Sequence, residues 1–145
     1  MKPEDTIDFH IRWAWAKMSK AYNVQAAKVN ATMPMAYTLL SIDKDGTPAT
    51  KLGPKMGMEP TSLSRLLKTM EEQGYITRKK DDLDGRKVYI HITQKGSEYR
   101  EIAKQHVIEF NEYMHHSIPA DKLKVFFDVM KTINQELDKN KIFRS

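Results

Sequence analysis

The stretch that decides the fold runs from residue 59 to residue 96 and reads EPTSLSRLLKTMEEQGYITRKKDDLDGRKVYIHITQKG. Leu63, Leu66, Leu67 and Met70 recur at helical spacing, which predicts an amphipathic helix from Glu59-Pro60 to the residue before Gly74. Residues 75–80 and 87–93 then form two short extended runs joined by a polar, turn-rich link. The stretch therefore predicts a helix followed by a β-hairpin.

Two shorter helices are predicted upstream of this stretch. One spans about 35–43, and the next is opened by Thr47 as N-cap and Pro48 at the first helical position, and ends at Gly57. Pro54 lies inside that third helix and is expected to kink or shorten it. A short helix, a turn, a helix and a hairpin follow one another in a winged helix-turn-helix, whose second helix enters the DNA major groove.

Long amphipathic helices flank this region, at about 7–29, 93–116 and from Pro119 onward. Their apolar strips are wider than a small domain covers, which predicts burial between two copies across a two-fold axis; a monomer with a larger helical layer is the alternative. The expected fold is mainly α with a small β-hairpin wing. It is a single domain over 1–145, with a winged lobe at 34–96 and dimerisation helices at 1–33 and 97–145.

The composition excludes several classes of function. The 145 residues contain no cysteine, so disulfides, thiolate metal sites and cysteine chemistry are ruled out. Ten basic and six acidic residues fall within 48–95, which gives this third of the chain nearly all of the net charge of +5. No apolar run could span a bilayer and the N-terminus does not read as a secretory leader, so a cytoplasmic protein with no membrane partner is expected.

The residues of the winged lobe fit a double-stranded DNA partner. On the predicted helix Thr61, Arg65 and Lys68 point away from the leucines, with Ser62 and Ser64 on the flanks. At the hairpin tip Arg86 is placed for the narrow minor groove, and Asp84 is expected to pair with a nearby arginine and hold the loop. Arg78 and Lys87, with Lys79 and Lys80, are candidate phosphate contacts. Taken alone, the helix could be an ordinary surface helix with a polar face, and the hairpin tip an ordinary charged turn. Together the two features favour DNA binding.

Other signals in the sequence are weaker. Trp13, Trp15 and Tyr37 could line a pocket for a small effector, although aromatic residues at helical spacing also serve as core or dimer contacts. His115 and His116 are adjacent and cannot share a helix face, so no metal site and no cofactor are predicted. The sequence contains no catalytic motif and the protein is not expected to be an enzyme. A winged-helix module that binds another protein, without direct DNA binding, is the alternative function.

The chain resembles the MarR (multiple antibiotic resistance regulator) family of bacterial transcription factors over nearly its whole length. The resemblance is carried by Asp81, Asp84 and Arg86 in the hairpin and by Thr93 and Gly96 after it. It implies a homodimeric regulator, commonly a repressor of a pseudo-palindromic operator, that releases DNA when a small aromatic or anionic ligand binds. It also implies that Thr61, Ser62, Ser64 and Arg65 face the major groove, that Arg86 reaches the minor groove and that Asp84 steadies the wing. The thiol-oxidation switch of some relatives is absent here, because the chain has no cysteine.

Overall fold

The computed structural model describes residues 1–143 and divides the chain into two compact units, one over 1–106 and one from Val107 onward. Six α-helices and three strands occur in the described residues. They are α1 (Ile7–Ala27), α2 (Met33–Ser41), β1 (Thr47–Pro48), α3 (Ala49–Met56), α4 (Pro60–Glu72), β2 (Ile76–Lys80), β3 (Val88–Ile92), α5 (Gln94–Ser117) and α6 (Ala120–Asp138), and a 3-10 turn at Pro3–Asp5 precedes α1. The order of elements is that of a winged helix-turn-helix with additional helices on both sides.

The helices begin where the sequence supplies a cap. Thr6 accepts the backbone N–H of Phe9 at the start of α1, and Thr32 accepts that of Met35 at the start of α2. The α1 helix ends at Ala27, two residues earlier than predicted, and α2 is shifted two residues toward the N-terminus. The α3 helix ends at Met56 with Gly57 as its C-cap, as the sequence predicts, but it continues past Pro54 and is not shortened there.

The prediction for Thr47 was wrong. Thr47 is not a helix cap but belongs to β1, which pairs antiparallel with β3 through Thr47–Ile90 and Pro48–Tyr89 and gives a three-stranded sheet in the order β1-β3-β2. Its side chain is buried, its hydroxyl accepts the backbone N–H of Asp43 at 2.8 Å, and α3 begins only at Ala49. A β-branched residue fits a sheet, and the local Thr-Pro signal for a helix start is overridden by this long-range pairing.

One core holds the first unit together. Leu39 of α2, Leu52 of α3, Met70 of α4, Ile76 of β2 and Ile90 of β3 are all fully buried and belong to a single cluster. The three helices of the winged lobe and both strands of the hairpin thus each contribute an inward side chain, and burial of these five large apolar groups stabilises the lobe at roughly 1.5–3 kcal/mol per side chain. This core fixes α4 and the hairpin in one rigid arrangement.

The second unit consists of the end of α5 and of α6. Leu123 is buried, but Val125, Phe126 and Phe127 of α6 are all about half exposed. Of the apolar strip that the sequence predicts on α6, Phe126 and Leu137 are more than half exposed, whereas Leu123 is buried and the two members between Phe126 and Leu137 are partly buried.

Candidate nucleic-acid interface

The α4 helix separates an apolar face from a polar one. Pro60 occupies its first turn, and Gly74, with a φ of +81°, follows its end in a backbone conformation that glycine adopts without strain. Leu63, Leu67 and Met70 are buried, as predicted. The side chains predicted to face DNA from this helix are all exposed, namely Thr61, Ser62, Ser64, Arg65 and Lys68.

The polar face of α4 offers uncommitted donors. Within residues 1–143, neither Arg65 nor Lys68 takes part in an ion pair. The N-terminus of the helix adds unpaired backbone N–H groups and the positive end of the helix dipole. Because hydroxyls, a guanidinium and an ammonium share this face, the helix can donate hydrogen bonds to phosphates and to the acceptor edges of bases.

The hairpin carries a second set of cations. Strands β2 and β3 pair in register from Ile76–Ile92 to Lys80–Val88, and Ile76 is the buried residue of β2. Arg78, Lys79 and Lys80 follow it and are exposed. Three successive cations on one strand make the hairpin a positively charged arm beside α4.

The tip of the hairpin is held by carboxylates that accept backbone amides. Asp84 Oδ1 accepts the N–H of Arg86 at 3.0 Å, and Asp81 Oδ1 accepts the N–H of Leu83 at 2.9 Å. Two backbone bonds, from Asp81 N–H to the Lys87 carbonyl (2.9 Å) and from Lys87 N–H to the Asp84 carbonyl (3.0 Å), close the loop. The sequence anticipated that Asp84 would pair with a nearby arginine; the contact is with the backbone amide of Arg86, so the Arg86 guanidinium stays exposed.

Arg78 is already engaged in the free protein. Its Nε lies 3.5 Å from a carboxylate oxygen of Glu71, at the end of α4. Both side chains are partly exposed, and such a pair is worth about 0–1 kcal/mol, so a phosphate can compete for the arginine. The sequence did not identify Glu71 as its partner, because the two residues meet only once the hairpin folds back on the helix.

A compact junction fixes the end of α4 against the start of α5. The Thr93 hydroxyl donates to the Gly74 carbonyl at 2.6 Å, and Lys95 Nζ donates to the Gln73 carbonyl at 2.7 Å while lying over the Tyr75 ring. A Cβ on Gly96 would overlap the Tyr75 carbonyl, so glycine is required for this close approach. The junction gives α4 a fixed orientation, and the sequence signalled it only through the Thr93 and Gly96 spacing.

Burial also perturbs a tyrosine at this junction. Tyr99 is buried on α5, with its ring centroid 5.6 Å from that of Tyr75. Desolvation raises the pKa of Tyr99 to about 12 from its ordinary value of 10.0, and the like charge that Tyr75 would carry adds to the rise. The Tyr99 phenol is therefore neutral throughout the physiological range.

The aromatic residues considered for an effector pocket are placed as follows. Trp13 and Trp15 lie on α1, two residues apart and so on different faces of the helix, and Tyr37 lies on α2; all three are exposed. Trp13 contacts Phe9, with ring centroids 6.2 Å apart, and Lys17 Nζ lies 5.7 Å from its ring. A groove of about 670 Å³ in the first unit is lined by other residues, among them Gly53, Pro54, Leu63, Ser64 and Arg78.

Residues 1–143 contain neither a membrane-spanning helix nor a cluster of metal ligands. None of the helices in this part of the chain is both long and apolar enough to cross a bilayer. Within the same residues, His, Asp and Glu side chains do not gather in groups of three or more that could hold a metal ion.

Comparison with known proteins identifies the family. The sequence model of the MarR family matches residues 38–88. The organic hydroperoxide resistance transcriptional regulator of Bacillus subtilis (strain 168) is 33% identical over 104 residues, which cover 71% of this chain and 71% of that protein. Matches to further curated regulators span half or less of those proteins.

Solved structures share the fold. The Staphylococcus aureus MepR–DNA complex superposes with a TM-score of 0.84 at 16% identity, over 90% of this chain and 98% of that one. PcaV from Streptomyces coelicolor, bound to its natural ligand, gives a TM-score of 0.82 at 16% identity, over 93% and 96% of the two chains. The winged helix-turn-helix fold is thereby confirmed, and this chain belongs to the MarR family of transcription regulators, which are not enzymes.

Proposed function

We propose that the protein is a homodimeric, ligand-responsive transcription regulator that binds a pseudo-palindromic DNA operator, most simply as a repressor. One observation carries the proposal: a single compact unit exposes both the donor-rich face of α4 and the cationic hairpin. The MepR structure with DNA and the PcaV structure with a natural ligand support the same two properties for this fold.

In this proposal α4 reads the major groove. Arg65 donates two parallel hydrogen bonds to a guanine, while Thr61, Ser62 and Ser64 bond to phosphates and base edges near the helix N-terminus. Lys68, one turn further along, contacts a phosphate. The buried leucines on the opposite face hold the helix at a fixed depth in the groove.

The hairpin contacts the adjacent minor groove. Arg86 enters it, because the narrow minor groove concentrates negative potential, and Asp84 keeps the turn in the required shape through the Arg86 amide. Arg78 and Lys87 contact phosphates, with Arg78 exchanging Glu71 for the DNA backbone.

The remaining parts of the chain supply assembly and regulation. The winged lobe at 34–96 is the DNA-binding part of the single domain. The segments 1–33 and 97–145 join two copies of the chain into a dimer. A small aromatic or anionic effector stacks on an exposed ring among Trp13, Trp15 and Tyr37; because Trp13 and Trp15 lie on different faces of α1, they offer separate stacking surfaces. The protein acts in the cytoplasm, on the nucleoid.

A mobility-shift titration against the DNA upstream of the protein's own gene, at two salt concentrations, tests the proposal. We expect tight binding at low salt, a steep loss at high salt from counterion release, and release of the DNA by a member of a panel of aromatic acids. Arg86→Ala should weaken binding to all duplexes by about tenfold or more, whereas Arg65→Ala should weaken binding and also relax the sequences selected from a random pool.

Lys104→Ala, which removes an exposed cation from α5 outside the winged lobe, is the matched control and should change the affinity little. Failure of the wild-type protein to bind any duplex in dilute buffer would overturn the proposed function. An Arg65→Ala protein that selects the same sequences as wild type would remove α4 from the recognition of bases.

A further inference from the structure

A leucine stands alone at the tip of the hairpin. The Leu83 side chain is 99% exposed, whereas Tyr37, the other exposed large apolar residue of the winged lobe, is 44% exposed. Leu83 takes no part in the core cluster, so folding of the single chain gives no reason for an apolar residue at this position.

The loop presents Leu83 and Arg86 together on a fixed turn. The Leu83 amide is bound by the Asp81 carboxylate and the Arg86 amide by the Asp84 carboxylate, in two consecutive turns of the same kind. The backbone pair between Asp81 and Lys87 closes the loop behind them. The leucine therefore projects from the same short, stiffened turn as the arginine.

Charge alone does not explain how this tip would approach DNA. Residues 81–87 carry three carboxylates and two cations, so the tip itself is not cationic, although the strand behind it is. Asp81 and Asp84 bind backbone amides, which moderates their repulsion of phosphates. Beside the exposed arginine, the exposed leucine supplies apolar surface at the tip and so adds a contact of another kind.

We propose that Leu83 enters the DNA minor groove beside Arg86 and acts as an apolar wedge that partly unstacks one base step. The inference rests on the proposed function. Proteins that bind the minor groove insert residues such as leucine between base steps, and unstacking is easiest at flexible pyrimidine–purine steps. Leu83 thereby makes the affinity of the wing depend on how easily the DNA deforms. Arg86 alone makes it depend on the width of the minor groove.

The test uses a duplex that the wild-type protein selects from a random pool, with 2-aminopurine placed in turn at each adenine. Wild-type protein should raise the 2-aminopurine fluorescence at one step in each half-site, because unstacking relieves quenching. Leu83→Ala should abolish that rise and weaken binding about five- to tenfold with an unchanged salt slope, since no charge is removed. Leu83→Met, which keeps a large apolar side chain, should restore both signals.

Arg86→Ala distinguishes the two contacts, because it should weaken binding and reduce the salt slope by about one. The wedge is overturned if Leu83→Ala binds the selected duplex with wild-type affinity and fluorescence while Arg86→Ala is impaired; the proposed function then still stands. It is also overturned if Leu83→Ala alters self-association in sedimentation but not DNA binding, which would make the tip a protein contact. Failure of the wild-type protein to bind DNA at all would instead remove the proposed function itself.

Discussion

The α4 and α6 helices are both amphipathic, but their apolar faces differ in how far they are buried. On α4, Leu63, Leu67 and Met70 are buried by the rest of the first unit. On α6, the side chains of Phe126 and Phe127 remain 53% and 55% exposed. The apolar face of α4 is thus buried within one chain, whereas apolar side chains of α6 remain exposed.

One copy of the chain therefore completes the core of the winged lobe but leaves apolar side chains of α6 exposed. The winged lobe has its own core, and most of its exposed side chains are polar. The second unit keeps aromatic and aliphatic side chains in water, at a cost of roughly 1.5–3 kcal/mol for each large group that could be buried. Contiguous exposed apolar surface marks an interaction site, and a second copy of the chain is the partner that the proposed dimer provides.

The largest expected effect comes from charging the open face of α6. The double variant Phe126→Glu/Phe127→Glu should be monomeric in sedimentation equilibrium at micromolar concentration, because two carboxylates would have to be buried at the interface. Its DNA affinity should fall about a hundredfold or more, since one half-site is lost. Circular dichroism should still show folded helices, because the winged lobe does not depend on these side chains.

The control for this variant is Thr132→Glu, which adds a negative charge at another exposed position of the same helix. It should remain dimeric. A double variant that sediments as a dimer would show that α6 is not the face that joins two copies.

The next largest effect is expected at the buried apolar face of α4. Leu67→Ala should lower the free energy of unfolding by about 2–5 kcal/mol, because it leaves a cavity in the fully packed core. Urea denaturation at a fixed protomer concentration measures the loss, with Leu66→Ala, a half-buried leucine on the same helix, as control. Equal losses for the two variants would contradict the burial pattern of α4.

The helices and the hairpin could be predicted from sequence because their signals are local. The leucine spacing of α4 and the alternation of Val88, Ile90 and Ile92 reflect which side chains face the core. The two-residue strand β1 could not be predicted, because it exists only through pairing with β3, more than forty residues later. At Thr47 the local sequence favours a helix cap, but the pairing with β3 determines the structure.

The candidate site shows the same division. The exposure of Arg65 and Lys68 follows from helical periodicity, so the sequence predicted it. The partners of Asp84 and Arg78 did not follow, because they depend on the geometry of a turn and on a contact between α4 and β2. Leu83 gave no signal at all, since a single leucine in a polar turn has no periodicity to report.

The smallest expected effect lies where the winged lobe meets α5. Tyr99 has a pKa raised to about 12 in the folded protein, against 10.0 when exposed, so its neutral form stabilises the fold. Because the folded pKa is the higher one, this contribution is fully present below pH 10 and is lost as pH rises from 10 toward 12. Wild-type protein should therefore lose about 1 kcal/mol more than Tyr99→Phe between pH 9 and pH 11, as urea denaturation would measure.

Tyr113→Phe, which changes an exposed tyrosine on the same helix, should keep the pH dependence of the wild type. If the stabilities of wild type and Tyr99→Phe change in parallel with pH, then Tyr99 titrates alike in the folded and unfolded chains. The junction at the end of α4 would then be open to water, and α4 would not be held rigidly against α5. In that event the fixed orientation that the DNA-binding proposal requires of α4 would have to come from the core leucines alone.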